Sequence, residues 1–146
     1  MSALTEERDT RRRGPNTESH HVYPVAATVK IYMGAMVALT ATGFATPASA
    51  PGPTQTVIGR ASATVDNSSG ADGDLKVEVG SHATFDWDNL EADPVVAATV
   101  GKRCYAADDQ TVALTDGGGT RPVAGYVESI DPDTTRVWVI HQPHAI

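Results

Sequence analysis

The sequence predicts an all-β protein, a small β-barrel or sandwich built from two similar Gly-centred units, with an extended N-terminal arm and at most one short helix. Three observations carry this. The first is a strand–turn–strand pattern at the C-terminal end. Two runs rich in Val, Ile, Tyr and Trp, Arg121–Ile130 and Thr135–His141, flank the turn Asp131-Pro132-Asp133-Thr134. The second is an echo of that pattern. Thr56–Asp66 followed by Leu75–Val79 matches Pro122–Asp131 followed by Arg136–Val139, and the interval from Gly34 to Gly59 is 25 residues against 24 from Gly101 to Gly125. The third is composition. With 13 Gly, 9 Pro and 5% aromatic residues, the chain suits short strands and turns better than helices.

The elements follow in order. Residues 1–21 form the arm, charged, with Gly14-Pro15-Asn16 and no apolar period. Such a segment buries too little to offset its own ordering, so it is expected to be mobile or extended until something binds it. His20 and His21 read as an exposed polar pair. The β-domain is expected over 22–146, with internal units at about 34–80 and 101–141. Val22–Val29, interrupted by Pro24, reads as an edge strand. Gly34–Thr40 and Phe44–Thr46 form a hairpin around Thr42-Gly43, and Pro47–Pro53 is a loop. Gln55–Asp66 and Asp74–Gly80 are strands. His82–Trp87 fits a strand with Phe85 and Trp87 on one face. Asp93-Pro94 through Gly101 carries an N-cap, a first-turn proline and a glycine stop, so a short helical turn belongs there. In the last strand Trp138 and Ile140 face opposite to Val137 and Val139, which predicts cover on both sides and a buried Trp138.

Charge and cysteine content narrow the function. Net charge is −7, and residues 1–22 balance to zero, so the body carries all of it. An acidic body is a poor general ligand for nucleic acid. The apolar stretch Ile31–Ala50 imitates a secretory leader or membrane span. It lies behind a charged tail and is broken by Gly34, Gly43 and Pro47, so two short strands and a turn explain it better, and no membrane partner is expected. The lone Cys104 falls in a strand and reads as a buried, unreactive thiol.

Chemistry is thinly represented. Asp86, Asp88 and Glu91, like Asp66, Asp72 and Asp74, resemble fragments of a calcium loop but lack its spacing, and read as solvated loop carboxylates. His141 and His144 lack further ligands to close a zinc site. Gly117–Gly119 is not followed by the Lys-Ser/Thr of a phosphate cradle. No catalytic, cofactor-binding or metal residue is expected, and no enzymatic activity.

One resemblance goes further. Leu4–Thr10 with Arg11–Gly14, Pro24–Ala27, Ile31–Leu39, Val57–Ala61, Val65–Asn67, Gly101–Tyr105, Asp108–Ala113 and Arg121–Gly125 together resemble the head decoration, or capsid cement, proteins of tailed bacteriophages and prophages. The resemblance implies a non-enzymatic virion protein, made in the host cytoplasm, that binds and stabilises the capsid exterior. Its partners would be the major capsid protein and further copies of itself, as trimers or dimers. The arm residues Leu4, Thr5, Arg8, Arg11, Arg12 and Arg13 would meet the coat protein by strand addition, with Gly59, Gly125 and Trp138 as structural positions. The alternative is a bacterial surface or secreted β-module that binds protein, or carbohydrate through Trp87 and Trp138.

Overall fold

The computed structural model describes residues 2–13 and 18–143. Short strands account for nearly all the regular structure: β1 Arg12–Arg13, β2 Ser19–Pro24, β3 Lys30–Ile31, β4 Met36–Leu39, β5 Ala45–Pro47, β6 Thr56–Ala61 and β7 Val65–Asp66, then β8 Lys76–Ser81, β9 Ala83–Asn89, β10 Arg103–Ala106, β11 Thr111–Ala113, β12 Val123–Ile130 and β13 Val137–His141. One 3-10 turn, Ala97–Thr99, sits where the sequence placed a short helix.

Two five-stranded units share one topology. In the second, the strands run β9-β11-β10-β12-β13, and β13 returns to pair with β9, which closes a barrel. In the first, the order is β2-β8-β6-β4-β5. Matching β2 to β9, β4 to β10, β5 to β11, β6 to β12 and β8 to β13 superimposes the neighbour relationships of the first sheet, and the β9–β11 pair has a single bridge, Val25 to Ala45, as its counterpart. The registers agree residue by residue. Tyr23 opposes Val77 as Trp87 opposes Val137, and Ser19 opposes Ser81 as Ala83 opposes His141. Val37 opposes Gly59 just before a register shift, and Cys104 opposes Gly125 just before another. Gly34 N–H donates to Ala61 O at 3.0 Å, and Gly101 N–H donates to Val127 O at 2.8 Å. The Gly-centred units seen in the sequence are therefore strand-for-strand equivalents, and each gains one strand upstream of the expected start, β2 and β9. The expected boundary at 21/22 falls inside β2.

The two glycines at the centre of the pattern have one physical cause. A Cβ on Gly59 would stand 2.0 Å from Gly80 O, and one on Gly125 would stand 2.2 Å from Ile140 O. Each strand crosses its neighbour too closely for any side chain.

The interiors differ. The second barrel is filled by Phe85, Trp87, Cys104, Val112, Ala124, Val127, Val137 and Val139, and this core continues onto Met36, Ala38 and Val57 of the first unit. At its centre Trp87 Nε1–H donates to His141 Nε2 at 2.8 Å, and His141 Nδ1 lies 2.9 Å from Ala124 O, so Nδ1 carries the proton and donates to that carbonyl. Burial pushes His141 down to about 4 and Cys104 up to about 12, so the imidazole is neutral and the thiol unreactive. The first unit has Tyr23 and Ser81 at the matching positions, with its own core of Val25, Ile31, Ala35, Val37, Ala45, Ile58, Ala61, Val77 and Val79. Trp138 is 6% exposed, as the two-sided pattern of its strand requires.

Gly59→Ala and Gly125→Ala should each destabilise the protein by more than about 2 kcal/mol, as forced overpacking does. Gly118→Ala, at a loop position with nothing within 4 Å but φ of +77°, should cost only the backbone strain, about 1 kcal/mol. Chemical denaturation of the three variants checks the ranking.

Candidate functional site: an arm docked on a strand edge

The arm is extended, and its contacts lie within the chain. Residues 12 and 13 pair antiparallel with Phe85 and Thr84, adding a short strand to β9. Asp86 N–H donates to Arg11 O at 3.1 Å, and Arg11 N–H donates to Asp86 Oδ1 at 3.2 Å. Further along the same edge β9 is taken by β11, which pairs parallel at Asp88 and Asn89. The arm therefore fills the part of the β9 edge that the barrel leaves open.

Asp86 holds this junction. It is fully buried, and its Oδ2 accepts from Arg11 Nη2 at 2.7 Å, Arg11 Nε at 3.1 Å and Arg136 Nε at 2.8 Å. Burial alone would raise its pKa. Hydrogen bonds and charge from Arg136 and Arg11 outweigh that, and the carboxyl sits below its ordinary value. Arg136 also pairs with Asp88, and the Arg11 guanidinium lies 5.2 Å from the Trp138 ring centroid. The expectation of a solvated Asp86 is thus corrected. The residue lies mid-strand, and two arginines distant in sequence supply its counter-charge.

The rest of the arm is placed as follows. Leu4 is half-buried against the first unit's core, and its N–H donates to Asp109 Oδ1 at 2.9 Å. Burial pushes Asp109 up to about 6. Thr5 is exposed. Arg8 N–H donates to Met33 O at 3.0 Å, its Nη1 donates to Gln110 Oε1 at 3.2 Å, and its guanidinium lies 5.6 Å from Trp87. Thr10, buried, donates its hydroxyl to Gly34 O at 2.6 Å. A Cβ on Gly34, whose φ is +88°, would meet Arg8 O at 2.0 Å, so only glycine admits the arm there. Arg12 lies 3.8 Å from Glu18. Arg13 takes part through its backbone in β1, and His144 lies outside the described residues. Of the sequence-chosen arm residues, Leu4, Arg8, Arg11 and the backbone of Arg12 and Arg13 converge on the second barrel and its border with the first. The acceptor side, Asp86, Asp109 and Gln110, was missed.

The other candidates resolve into structure. Asp66 Oδ1 accepts from Ser68 N–H and Asp74 from Ala71 N–H, bracing their own loop, and Asp72 accepts from Ala27 N–H, tying that loop to the 25–29 connection. Hydrogen bonds from Ser68 lower the Asp66 pKa. Among the described residues no cluster of three or more His, Cys, Asp or Glu could hold a metal ion, and no helix is long and apolar enough to cross a membrane. Trp87 is fully buried and Trp138 nearly so, so neither offers a ring face to a sugar. No family model, curated protein or solved structure matches the chain.

Asp86→Ala leaves Arg11 of the arm without its counter-charge and Arg136 with Asp88 alone. It should cost about 3 kcal/mol, the low end for breaking a buried pair because both arginines reach water, against less than about 0.5 kcal/mol for the loop acid Asp116→Ala. Thermal melts, with limited proteolysis of the arm, measure both effects.

Proposed function

We propose that this chain is a non-enzymatic structural protein that binds the outer surface of a phage capsid and stabilises it, its N-terminal arm contacting the coat protein. The sequence resemblance supports the class. The observation that carries the reading is the arm itself. Its backbone already engages in strand addition, the interaction by which such an arm would join a coat subunit, and it is attached to a closed barrel and a five-stranded sheet that share one core. The acidic body suits a soluble particle exterior, and the buried, unreactive Cys104 suits a cytoplasmic origin.

On this reading the arm exchanges partners. Arg11 leaves Asp86 and Arg13 leaves Thr84 when a coat strand offers equivalent bonds, so attachment must offset both the bonds given up and the entropy of association. The carbohydrate alternative loses its two tryptophans to burial, and only its protein-binding form keeps an observation in support.

The test is co-sedimentation with undecorated heads assembled from the coat protein of the phage or prophage that carries this chain. The full chain should pellet with heads and raise their disruption temperature, while a chain lacking residues 1–13 should fold and stay in the supernatant. Failure of the full chain to bind heads at any ratio would refute the capsid reading, and binding undiminished by the truncation would refute the role of the arm.

A further inference from the structure

The duplication exposes a difference between the two units. In the second, the outward edge of β9 is satisfied twice, by the arm at Thr84 and Phe85 and by β11 at Asp88 and Asn89. The same edge in the first unit belongs to β2. Its β11-like closure survives as one parallel bridge, Val25 to Ala45, with Ala26 N–H donating to Ala45 O at 2.9 Å. Where Asp88 N–H donates to Gln110 O at 2.9 Å, the first unit has Pro24, which has no N–H to give. Where the arm lies on Thr84 to Asp86, the matching residues are His20 to Val22.

Val25 N–H donates to Leu75 O at 2.9 Å in register with the β2–β8 ladder. Strand alternation then turns the backbone groups of residues 19, 21 and 23 toward β8 and those of His20 and Val22 away from it. Among the described residues no strand pairs with that side of β2 over His20–Val22. Val22 is also the most exposed large apolar residue described, at 60%. Glu18 is already paired with Arg12 and Arg60, which leaves Glu78 as the accessible acid beside this edge. Glu18 and Glu78 sit 3.2 and 3.7 Å from His20, and the Glu78 side chain is half exposed. Glu78 occupies the place that Trp138 holds beneath Arg11 in the second barrel.

We infer that the outer edge of β2, along His20–Val22, is a docking site for an extended cationic segment of a partner polypeptide, added antiparallel as β1 is added to β9. Backbone pairing supplies the affinity, Val22 an apolar contact, and Glu78 a counter-charge for a Lys or Arg on the incoming strand. The acidic body favours approach of such a segment over an acidic one. The inference holds for any partner with that chemistry and does not rest on the capsid reading.

The test uses the full chain and two synthetic peptides, alternating Lys-Val and alternating Glu-Val, with backbone amide shifts read by NMR. The Lys-Val peptide should shift the amides of His20 and Val22, and the Glu-Val peptide should not. Val22→Pro removes an outward donor and leaves the β8 ladder intact, so it should weaken Lys-Val binding at least tenfold without a large change in melting temperature. Glu78→Lys, on the surface, should weaken it severalfold and serves if the proline variant fails to fold. Shifts confined to other surfaces, equal binding of the two peptides, or binding unaltered by both substitutions would overturn the proposal. So would a peptide-free dimer that Val22→Pro abolishes, since a second copy would then be the occupant.

Discussion

An exposed strand edge carries backbone donors and acceptors that must be paired or hydrated, and the way this chain treats two equivalent edges governs much of its form. On β9 the edge is paired throughout, by the arm and then by β11. Asp86 makes that pairing specific, because its buried carboxylate requires positive charge, and Arg11 and Arg136 supply it through direct hydrogen bonds. The ion pair and the strand addition depend on each other. Without the arm, Asp86 keeps Arg136, and without Asp86, Arg11 loses its counter-charge while the arm keeps its pairing with β9 and the contacts of Leu4, Arg8 and Thr10.

The first unit shows what the same topology becomes when those groups change. Pro24 stands for Asp88, Val22 for Asp86, Tyr23 for Trp87 and Ser81 for His141. The proline removes a closing bond, and the smaller interior groups remove the packed aromatic centre. The result is a sheet curled by a single bridge beside a fully closed barrel. A shared core through Met36, Ala38 and Val57 then ties the open copy to the closed one. One unit is thus a scaffold, and the other offers an edge.

The fold was legible where apolar alternation and glycine spacing coincide. Gly59 and Gly125 mark the closest strand crossings, and a backbone that close excludes every other residue, so the signal survives divergence elsewhere. Trp138 was legible from the alternation of its strand. The first strand of each unit was harder to see. Ser19-His20-His21-Val22 has no apolar run because its outer face is open to solvent. Asp86 was misread for a related reason. A carboxylate inside a strand looks like a loop residue until its partners appear, and they lie 75 and 50 residues away. The arm lacks any apolar period, yet polar and backbone bonds hold it in place, and periodicity does not report those.

Amide hydrogen exchange at single-residue resolution tests the central claim most directly, that two equivalent edges differ because the arm fills only one. The account predicts slow exchange at Asp86 N–H and fast exchange at Val22 N–H in the full chain, with His21 and Tyr23 slow in both cases. Removing residues 1–13 should bring Asp86 close to the rate of Val22 and leave the others unchanged. Equal protection of Asp86 and Val22 in the full chain, or an Asp86 rate indifferent to loss of the arm, would contradict it.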